Sequence, residues 1–352
     1  MPLARRRPVG GRIGLTPEAA AGLAAELAAV ARGEIRQLEP LARRTTLRVG
    51  GPALLLALPG AEQDVAAALR WACTRGLPWR IIGLGSNLLC PDEGFPGLML
   101  DLGRACGVRE FSGSLVRAGA GVHMAPLIQE AAARGLSGLE GVAGVPGSVG
   151  GALTMNAGTA AGEMGAVVRS ARVLSPQGDA AELVAAELRF GYRTSRIQQE
   201  GLVALEAVLQ LQPADPAAVR AELRHRALRR RQTQPLELPN AGSIWRNPPG
   251  DYAGRLIEAA GLRGRRRGDA QVSAKHANFI VNVGQARAED VLALMAEVRA
   301  RVWAGFGVRL EPELCWLYGR EALLRLLQER APLPAPQEPP LASEPDGHSA
   351  TT

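Results

Sequence analysis

Metal-binding residues are scarce in this sequence, with four cysteines and four histidines among 352 residues. The cysteines form no CxxC pair and no metal-ligand spacing occurs, so we expect no metal centre. We expect free, buried thiols of a reducing cytoplasm rather than disulfides. The positions concerned are Cys73, Cys90, Cys106 and Cys315.

Long apolar segments are missing as well. The sequence contains no stretch of 18 apolar residues, so no membrane span is expected. The N-terminus, MPLARRRPVGGRIG, is basic, but no continuous apolar segment follows it, which argues against a secretory signal. These absences favour a cytoplasmic protein with no membrane partner.

Lysine and aromatic residues are also rare. Aromatics make up 4% of the chain, so the cores of two or three domains must be built from leucine, valine and alanine. The net charge of +7 makes a nucleic-acid partner worth considering. However, Lys275 is the only lysine beside 40 arginines, a uniform bias typical of genomic composition rather than of selection for phosphate binding.

Glycine, by contrast, is concentrated in residues 135–165, where it occupies ten of 31 positions. Collagen would need many more triplets and more proline, and a flexible linker would lack the apolar residues between these glycines. The pattern therefore predicts an ordered loop that faces a ligand. Six of the glycines are spaced by three: Gly135, Gly138, Gly141, Gly144, Gly147 and Gly150.

Hydrophobic periodicity and turn residues predict a mixed α and β chain. We expect disorder at 1–16 and in the proline-rich tail 332–352, and a boundary near 213–216. Strands are predicted at 79–84, 98–102, 115–118, 167–174, 203–211 and 279–283. Helices are predicted at 17–32, 63–75, 124–134, 216–231, 252–260 and 288–304.

The run GLGSN at 83–87 follows a predicted strand. Such a Gly-Ser-Asn turn exposes successive N–H groups, which suits a diphosphate. The complete GxGxxG fingerprint of dinucleotide-binding folds occurs nowhere. A nucleotide cofactor would therefore be held by a different fold.

Several distinctive sequence blocks occur in order between about Leu41 and Gly319. The blocks are TTLRVGGPA (45–53), GLGSNLL (83–89), GVPGSVGGALTMNAG (144–158) with Glu163, FGYRTSR (190–196), QPLELPNAGSIWRNP (234–248), AGRLIEAAGLRG (253–264), VSAKHANFIVN (272–282) and FGVRLEPE (306–313). Together they resemble the UDP-N-acetylenolpyruvoylglucosamine reductase (MurB) family.

The resemblance implies an α+β chain with a vanillyl-alcohol-oxidase/PCMH-type FAD-binding fold of two subdomains and a C-terminal α/β substrate domain. The expected divisions are an N-terminal extension and helix (1–36), FAD-binding subdomains at 37–110 and 111–212, a substrate-binding domain (213–320) whose end returns to the active site, and a C-terminal helix end with tail (321–352).

The implied function is reduction of UDP-N-acetylglucosamine enolpyruvate to UDP-N-acetylmuramate for peptidoglycan synthesis. Hydride would pass from NADPH to N5 of FAD and then to the substrate. A monomer that binds the UDP-sugar and NADPH, without nucleic acid, is expected. The residues implied for FAD are Gly83, Gly85, Ser86, Asn87, Leu88, Gly144, Gly147, Ser148, Gly150, Gly151, Asn156 and Ala157.

The resemblance also implies catalytic roles for three residues. Arg193 would hold the substrate carboxylate, Glu313 would be its partner there, and Ser243 would donate the proton. A glutamate beside a carboxylate would have a raised pKa and could donate a hydrogen bond when protonated. Substrate-binding residues would be Tyr192, Arg231, Asn247 and Lys275.

Without the family, each of these residues has an ordinary structural interpretation. Arg193 would be a surface arginine, and Ser243 would cap a turn. Glu313, in a strand-like run, would pair with Arg309, and Lys275 would stand at the entry of a strand.

The chain departs from the family at three places. Arg246 stands where lysine is usual, a change that suits phosphate but alters geometry. Leu314 and Cys315 replace the usual Val-Arg, so any contact of that arginine is lost or moved. The interval 194–212, expected to be mostly strand, leaves no room for the tyrosine-bearing loop of the longer family class.

Two other functions remain open at this point. A flavin oxidase of the same fold would carry a covalent flavin link through histidine or cysteine, yet neither His123 nor any cysteine lies in an obvious attachment motif. A nucleic-acid-binding protein is supported only by the runs Arg229–Arg231 and Arg265–Arg267, which more often form a solvated or phosphate-facing surface.

Overall fold

The computed structural model describes residues 14–334. Apart from residues 14–16 and 332–334, the predicted disordered segments 1–16 and 332–352 lie outside the described residues. Within residues 14–334, no helix is long and apolar enough to cross a bilayer.

The first part of the fold is a mixed sheet with strand order β1-β2-β5-β3. Its central strand β2 reads PALLLALP and is buried over nearly its whole length, as expected of a strand covered on both faces. Thr16 caps the preceding helix and Pro17 occupies its first position. The elements are α1 (Pro17–Val30), β1 (Gly33–Pro40), β2 (Pro52–Pro59), α2 (Glu62–Thr74), β3 (Trp79–Ile82), β4 (Leu88–Leu89) and β5 (Phe95–Asp101).

The second part is a five-stranded antiparallel sheet of order β12-β11-β13-β7-β6. The glycine-rich segment lies between its second and third strands in chain order. The elements are β6 (Arg109–Ser112), β7 (Leu115–Gly119), α3 (Met124–Ala133), β8 (Leu136–Ser137), α4 (Val149–Met155), β9 (Gly158–Thr159), β10 (Gly162–Glu163), β11 (Val168–Leu174), β12 (Ala180–Val184), α5 (Arg196–Glu200), β13 (Val203–Gln210) and β14 (Gln212–Pro213).

The third part is a four-stranded antiparallel sheet of order β15-β18-β17-β16, covered by helices. After it, the chain returns to the first part, where β19 pairs in parallel with β4. The elements are α6 (Pro216–Thr233), β15 (Asn240–Ser243), α7 (Ala253–Ala259), β16 (Arg266–Arg267), β17 (Ala270–Val272), β18 (Phe279–Asn282), α8 (Ala288–Phe306), β19 (Cys315–Trp316) and α9 (Arg320–Arg330).

Two main apolar cores stabilise this arrangement. One is continuous across the first and second sheets, so α1 and α2 share a core with α3, α4 and β13. The other fills the third part and includes Leu47, Val49 and Leu89 from the first part. Side-chain hydrogen bonds join the same regions, because Asn282 Nδ2 donates to the Leu47 carbonyl oxygen over 3.1 Å.

The predicted helices and strands are confirmed, with ends that shift by a few residues. Three expectations were wrong in detail. The glycine-rich segment is not one loop, because α4 forms inside it and places Gly150 and Gly151 in a helix. The interval 194–212 begins with α5 before β13, and no long inserted loop occurs in it. Cys73 is exposed and Cys315 is half-buried rather than buried, although all four thiols are free as expected.

Candidate active site

The GLGSN turn meets the glycine-rich segment ahead of α4. The Ser86 hydroxyl donates to the Pro146 carbonyl oxygen over 2.7 Å. A Cβ atom at Gly83 would lie 2.8 Å from the hydroxyl oxygen of Ser148, so any larger residue would require the serine side chain to shift. Two segments about 60 residues apart in sequence therefore form one surface of backbone.

Backbone N–H groups on this surface lack protein acceptors. Within residues 14–334, no acceptor is found for the amides of Gly85, Ser86, Asn87, Gly147 or Ser148. The amide oxygen of Asn87 is also buried without a partner. Successive free N–H groups make a cavity for an anion, and a ligand would satisfy groups that are costly to leave unpaired. The surface fits the diphosphate of a nucleotide cofactor.

Gly85 shows why the turn must contain glycine. Its φ of +60° lies in the left-handed region, and an added Cβ would stand 2.1 Å from the Arg44 carbonyl oxygen. Gly150 serves packing instead, since its Cβ would lie 2.9 Å from the Cβ of Ala120. The glycines of the segment thus have different functions: some let the backbone present N–H groups without protein acceptors, and others allow close packing around α4.

Asn156 ends α4 and holds the neighbouring loops together. It is 2% exposed and has a φ of +42°. Its amide nitrogen donates to Glu163 Oε2 over 2.8 Å and to the Gly191 carbonyl oxygen over 3.0 Å. Its amide oxygen accepts from the Gly165 N–H over 2.8 Å. These hydrogen bonds use both donors of the side-chain amide, so Asn156 orders the loops of the site, and its contact with FAD stays a prediction.

Arg193 and Glu313 form an ion pair in the centre of the site. Arg193 Nε donates to Glu313 Oε1 over 2.7 Å, and the two side chains are only 16% and 15% exposed. Arg193 also donates to the Gly158 carbonyl oxygen over 2.8 Å, and Glu163 Oε1 lies 3.8 Å from its Nη1. The interpretations of Arg193 as a surface residue and of Glu313 as the partner of Arg309 are therefore wrong.

The backbone of Arg193 is unusual as well. Its φ of +55° is rare for a residue other than glycine and costs about 1–2 kcal/mol. The guanidinium carbon lies 5.0 Å from the ring centre of Tyr192. Strained backbone persists where surrounding contacts determine it, and such positions are frequent at functional sites.

Ser243 lies at the end of β15 next to this pair. The carbonyl oxygen of Ile244, the following residue, accepts from the Glu313 N–H over 2.8 Å. The hydroxyl of Ser243 is half-buried and makes no hydrogen bond within the described residues. The preceding Gly242 has a φ of +74°, a conformation that turns the strand end. The structure thus brings together all three residues predicted to be catalytic.

The four predicted substrate residues separate into two groups. Tyr192 and Asn247 line one cavity beside the ion pair. Asn247 Oδ1 also accepts from the Ala253 N–H over 3.1 Å and so caps α7. Lys275 and Arg231 lie together elsewhere, because Lys275 Nζ donates to the Arg231 carbonyl oxygen over 2.6 Å. Neither of them lines the cavity.

The sequence interpretation missed Arg230, the neighbour of Arg231. A Cβ at Gly144 would stand 2.7 Å from Arg230 Cδ, so this arginine packs directly on the glycine-rich segment. Burial lowers the pKa of its guanidinium, and it has no carboxylate partner within residues 14–334. The run of three arginines was the only sequence signal, and it does not tell which one faces inward.

Cys315 replaces an arginine that the family resemblance predicts. Its sulfur lies 3.7 Å from Asn87 Nδ2 and 3.9 Å from Met155 Sδ. Burial raises the pKa of the thiol to about 11, so it is neutral near pH 7. Among the described residues, no group of three histidine, cysteine or acidic side chains could hold a metal ion.

The fold, with its surface of backbone N–H groups that lack protein acceptors, corresponds to a known class of cofactor-binding domain. The FAD binding domain model matches residues 53–183, which include both the GLGSN turn and the glycine-rich segment. The chain is thus an FAD-binding protein with the vanillyl-alcohol-oxidase/PCMH-type fold, followed by a separate C-terminal α and β unit.

The family follows from the C-terminal unit and from full-length relatives. Residues 234–317 match the model of the UDP-N-acetylenolpyruvoylglucosamine reductase C-terminal domain. The chain is 50% identical over 282 residues to UDP-N-acetylenolpyruvoylglucosamine reductase 2 of Symbiobacterium thermophilum, covering 80% of this chain and 92% of that protein. It is 45% identical to the reductase of Moorella thermoacetica, over 83% of this chain and 96% of that one.

A solved structure supports the same assignment. The crystal structure of the Thermus caldophilus reductase (MurB) superposes with a TM-score of 0.70 at 38% identity, covering 81% of this chain and 99% of that one. The chain belongs to the UDP-N-acetylenolpyruvoylglucosamine reductase family, which confirms the resemblance found in its sequence blocks.

Proposed function

We propose that this chain is an NADPH-dependent flavoenzyme that reduces UDP-N-acetylglucosamine enolpyruvate to UDP-N-acetylmuramate in peptidoglycan synthesis. The observation that carries the proposal is the ion pair of Arg193 and Glu313, 2.7 Å long and beside Ser243, in a chain 50% identical to a curated reductase. The oxidase alternative is not favoured, because the matched full-length relatives are reductases.

FAD is held by backbone in this proposal. The free N–H groups of the GLGSN turn and of Gly147 and Ser148 would bind its diphosphate. When bound, FAD supplies the two-electron chemistry that takes hydride from NADPH and delivers it to the enol ether. The remaining work of the protein is to orient the substrate, stabilise charge and deliver a proton.

Arg193 is the residue proposed to hold the substrate carboxylate. Its guanidinium is fixed by Glu313, by the Gly158 carbonyl oxygen and by the Tyr192 ring, so it does not need to reorganise when negative charge develops. Glu313 sets the orientation of the guanidinium plane. Because the pair lies within a mostly buried region, its electrostatic effect is larger than at an exposed surface.

Ser243 is the proposed proton donor to the carbon beside the carboxylate. Its hydroxyl is free of protein partners within the described residues, so it is available to a substrate. The N–H of Glu313 donates to the carbonyl of the residue that follows Ser243, which fixes the serine against the ion pair. A hydroxyl is a weak acid, so its efficiency depends on this placement.

The test separates the two half-reactions. Under anaerobic conditions, NADPH should bleach the flavin absorbance, and added enolpyruvyl UDP-sugar should restore it. Ser243→Ala should leave bleaching near normal and slow restoration by at least about 100-fold, the size typical of a positioned proton donor. Equal slowing of both steps would contradict the role given to Ser243, and a flavin restored only by oxygen would contradict the reductase function.

We also propose the domain division 1–36, 37–110, 111–212, 213–320 and 321–352, and a monomer that works in the cytoplasm. The three larger sheets support three main units, although the boundaries at 36/37 and 110/111 fall inside β1 and β6. Assignment to the shorter family class is supported by the compact segment of α5 and β13 after Arg193.

A further inference from the structure

Helix α6 presents a basic surface that has no part in the proposed reaction. The helix packs on α3 and β8 through a narrow apolar side that contains the buried Val219 and Leu223. Residues three and four apart share one side of a helix, so the opposite side of α6 turns to solvent. We call this side the α6 face, and its exposed residues are Arg220, Ala221, Arg224, His225, Leu228, Arg229 and Gln232.

The arginines of the α6 face lack the ion pairs that are usual elsewhere in the molecule. Within residues 14–334, most arginines outside α6 form an ion pair with a carboxylate. On α6 only Arg226 does so, with Glu222 at the edge of the face. The guanidinium groups of Arg220, Arg224 and Arg229 have no carboxylate partner among the described residues. A general preference for arginine explains their number, but it does not explain why unpaired charges are grouped on one side of one helix.

An exposed leucine lies among these charges. Leu228 is 57% exposed, and it stands four residues after Arg224 and one before Arg229. Two more exposed leucines, Leu236 and Leu238, follow shortly after the end of the helix. Arginine and leucine together on an exposed helical surface are typical of segments that bind at the interface between a membrane and water.

We propose that the α6 face binds an anionic lipid surface, with its arginines at the phosphate headgroups and Leu228 in the interfacial layer. The positive charge of the face complements the negative charge of such a surface, and each arginine close to it adds to the attraction. A nucleic acid fits less well. Proteins that bind single strands stack the bases on aromatic side chains, and α6 contains no phenylalanine, tyrosine or tryptophan.

Binding of this peripheral kind needs no membrane-spanning helix, so it is compatible with the lack of one in residues 14–334. It replaces the expectation of no membrane partner, which came from the absence of long apolar segments. The proposed reaction is unaffected, because no residue of the α6 face lines the cavity beside Arg193 and Glu313. Arg230 is not part of the face, since it packs on Gly144 of the glycine-rich segment.

The test is sedimentation of the FAD-loaded protein with lipid vesicles. Vesicles of phosphatidylglycerol and phosphatidylcholine in equal parts are compared with vesicles of phosphatidylcholine alone. The unmodified chain should bind only the anionic vesicles, and more weakly as the salt concentration rises. The triple variant Arg220→Gln/Arg224→Gln/Arg229→Gln should bind them about 100-fold more weakly, since each arginine near an anionic surface contributes about fivefold.

A matched control removes the same charge elsewhere. Arg32, Arg301 and Arg325 are exposed, have no ion pair among the described residues and lie on separate elements. Replacing all three with glutamine should weaken vesicle binding by less than about fivefold, because charges beyond a Debye length of about 8 Å are largely screened. Equal thermal midpoints and equal rates of flavin reduction by NADPH would confirm that both triple variants fold.

A second variant tests the apolar part of the face. Leu228→Ser should weaken binding to anionic vesicles by about fivefold, because part of an apolar side chain no longer leaves water. The salt dependence should stay as in the unmodified chain, since no charge is removed. An unchanged affinity would exclude Leu228 from the lipid contact.

Other results would overturn the whole inference. Failure of the unmodified chain to bind anionic vesicles, or equal binding to neutral ones, excludes an anionic lipid surface as the partner. Equal weakening by the control triple variant shows a general charge effect. Tighter binding to duplex DNA than to vesicles, lost in the α6 triple variant, assigns the face to nucleic acid. Self-association in light scattering that the same variant abolishes assigns it to a second copy of the chain.

Discussion

Asn156 joins the glycine-rich segment to Arg193, the proposed catalytic arginine, and its replacement should destabilise the protein. The Gly191 carbonyl oxygen that it binds lies two residues before Arg193. Glu163, which it also binds, lies 3.8 Å from that arginine. Loss of the Asn156 amide therefore affects both stability and the orientation of the site.

The magnitude follows from its contacts. Asn156→Gly retains the left-handed backbone but loses three side-chain hydrogen bonds, each worth about 1 kcal/mol. The hydrogen bond from Asn156 to the charged Glu163 is also counted as about 1 kcal/mol, because the Glu163 side chain is 36% exposed and water can replace that bond. The free energy of unfolding should fall by about 3 kcal/mol. Asn156→Ala should lose about 1 kcal/mol more, because alanine resists a positive φ.

Urea unfolding of the holoenzyme measures these values, with FAD in fixed excess because ligand binding itself adds stability. Gln199→Ala is the control, since this glutamine is exposed on α5 and should change stability by less than about 0.5 kcal/mol. A loss below about 1 kcal/mol for Asn156→Gly would refute the reasoning. Equal stability of the glycine and alanine variants would refute the backbone part of it.

Two further predictions concern the cofactor turn and the thiols. Gly85→Ala should lower the ratio of flavin to protein absorbance in the purified protein, because the Cβ of alanine would lie 2.1 Å from the Arg44 carbonyl oxygen. Gly113→Ala is the control: Gly113 also has a positive φ, but nothing lies near its position, so this variant should retain the normal ratio. Alkylation at pH 8 followed by mass spectrometry should modify exposed Cys73 first. Burial raises the pKa of Cys315 to about 11, so its reactive thiolate is scarce at pH 8 and should increase only as the pH approaches that value. Early labelling of Cys315 in the native protein would contradict the raised pKa of its thiol.

The local elements were predictable because their causes are local. Helix α1 begins at Pro17, directly after the capping residue Thr16. The apolar run of β2 is typical of a strand covered on both faces. The glycine-rich segment was correctly predicted to be ordered. Its helix α4 was missed, because glycines usually weaken helices and here several of them serve close packing instead.

The candidate site was only partly predictable. Motif blocks identified Arg193, Ser243 and Glu313 through the family resemblance, while their ordinary interpretations were more probable from composition alone. Arg230 was not singled out from its run, since a run of arginines looks the same on a solvated surface as in a site. Burial and the partners of each guanidinium decide between these cases, and both depend on the packing of distant segments.

The sequence by itself determined the long helices, several of the strands, the GLGSN turn and the family. Only the tertiary structure decided which charges meet. Arg193 and Glu313 are 120 residues apart, and they pair because the chain end returns to place β19 beside β4. The cavity likewise combines Arg246 after β15 with Arg320 at the start of α9. Contacts of this kind are set by the docking of sheets and helices around shared cores, for which no local pattern in the chain is a sufficient cause.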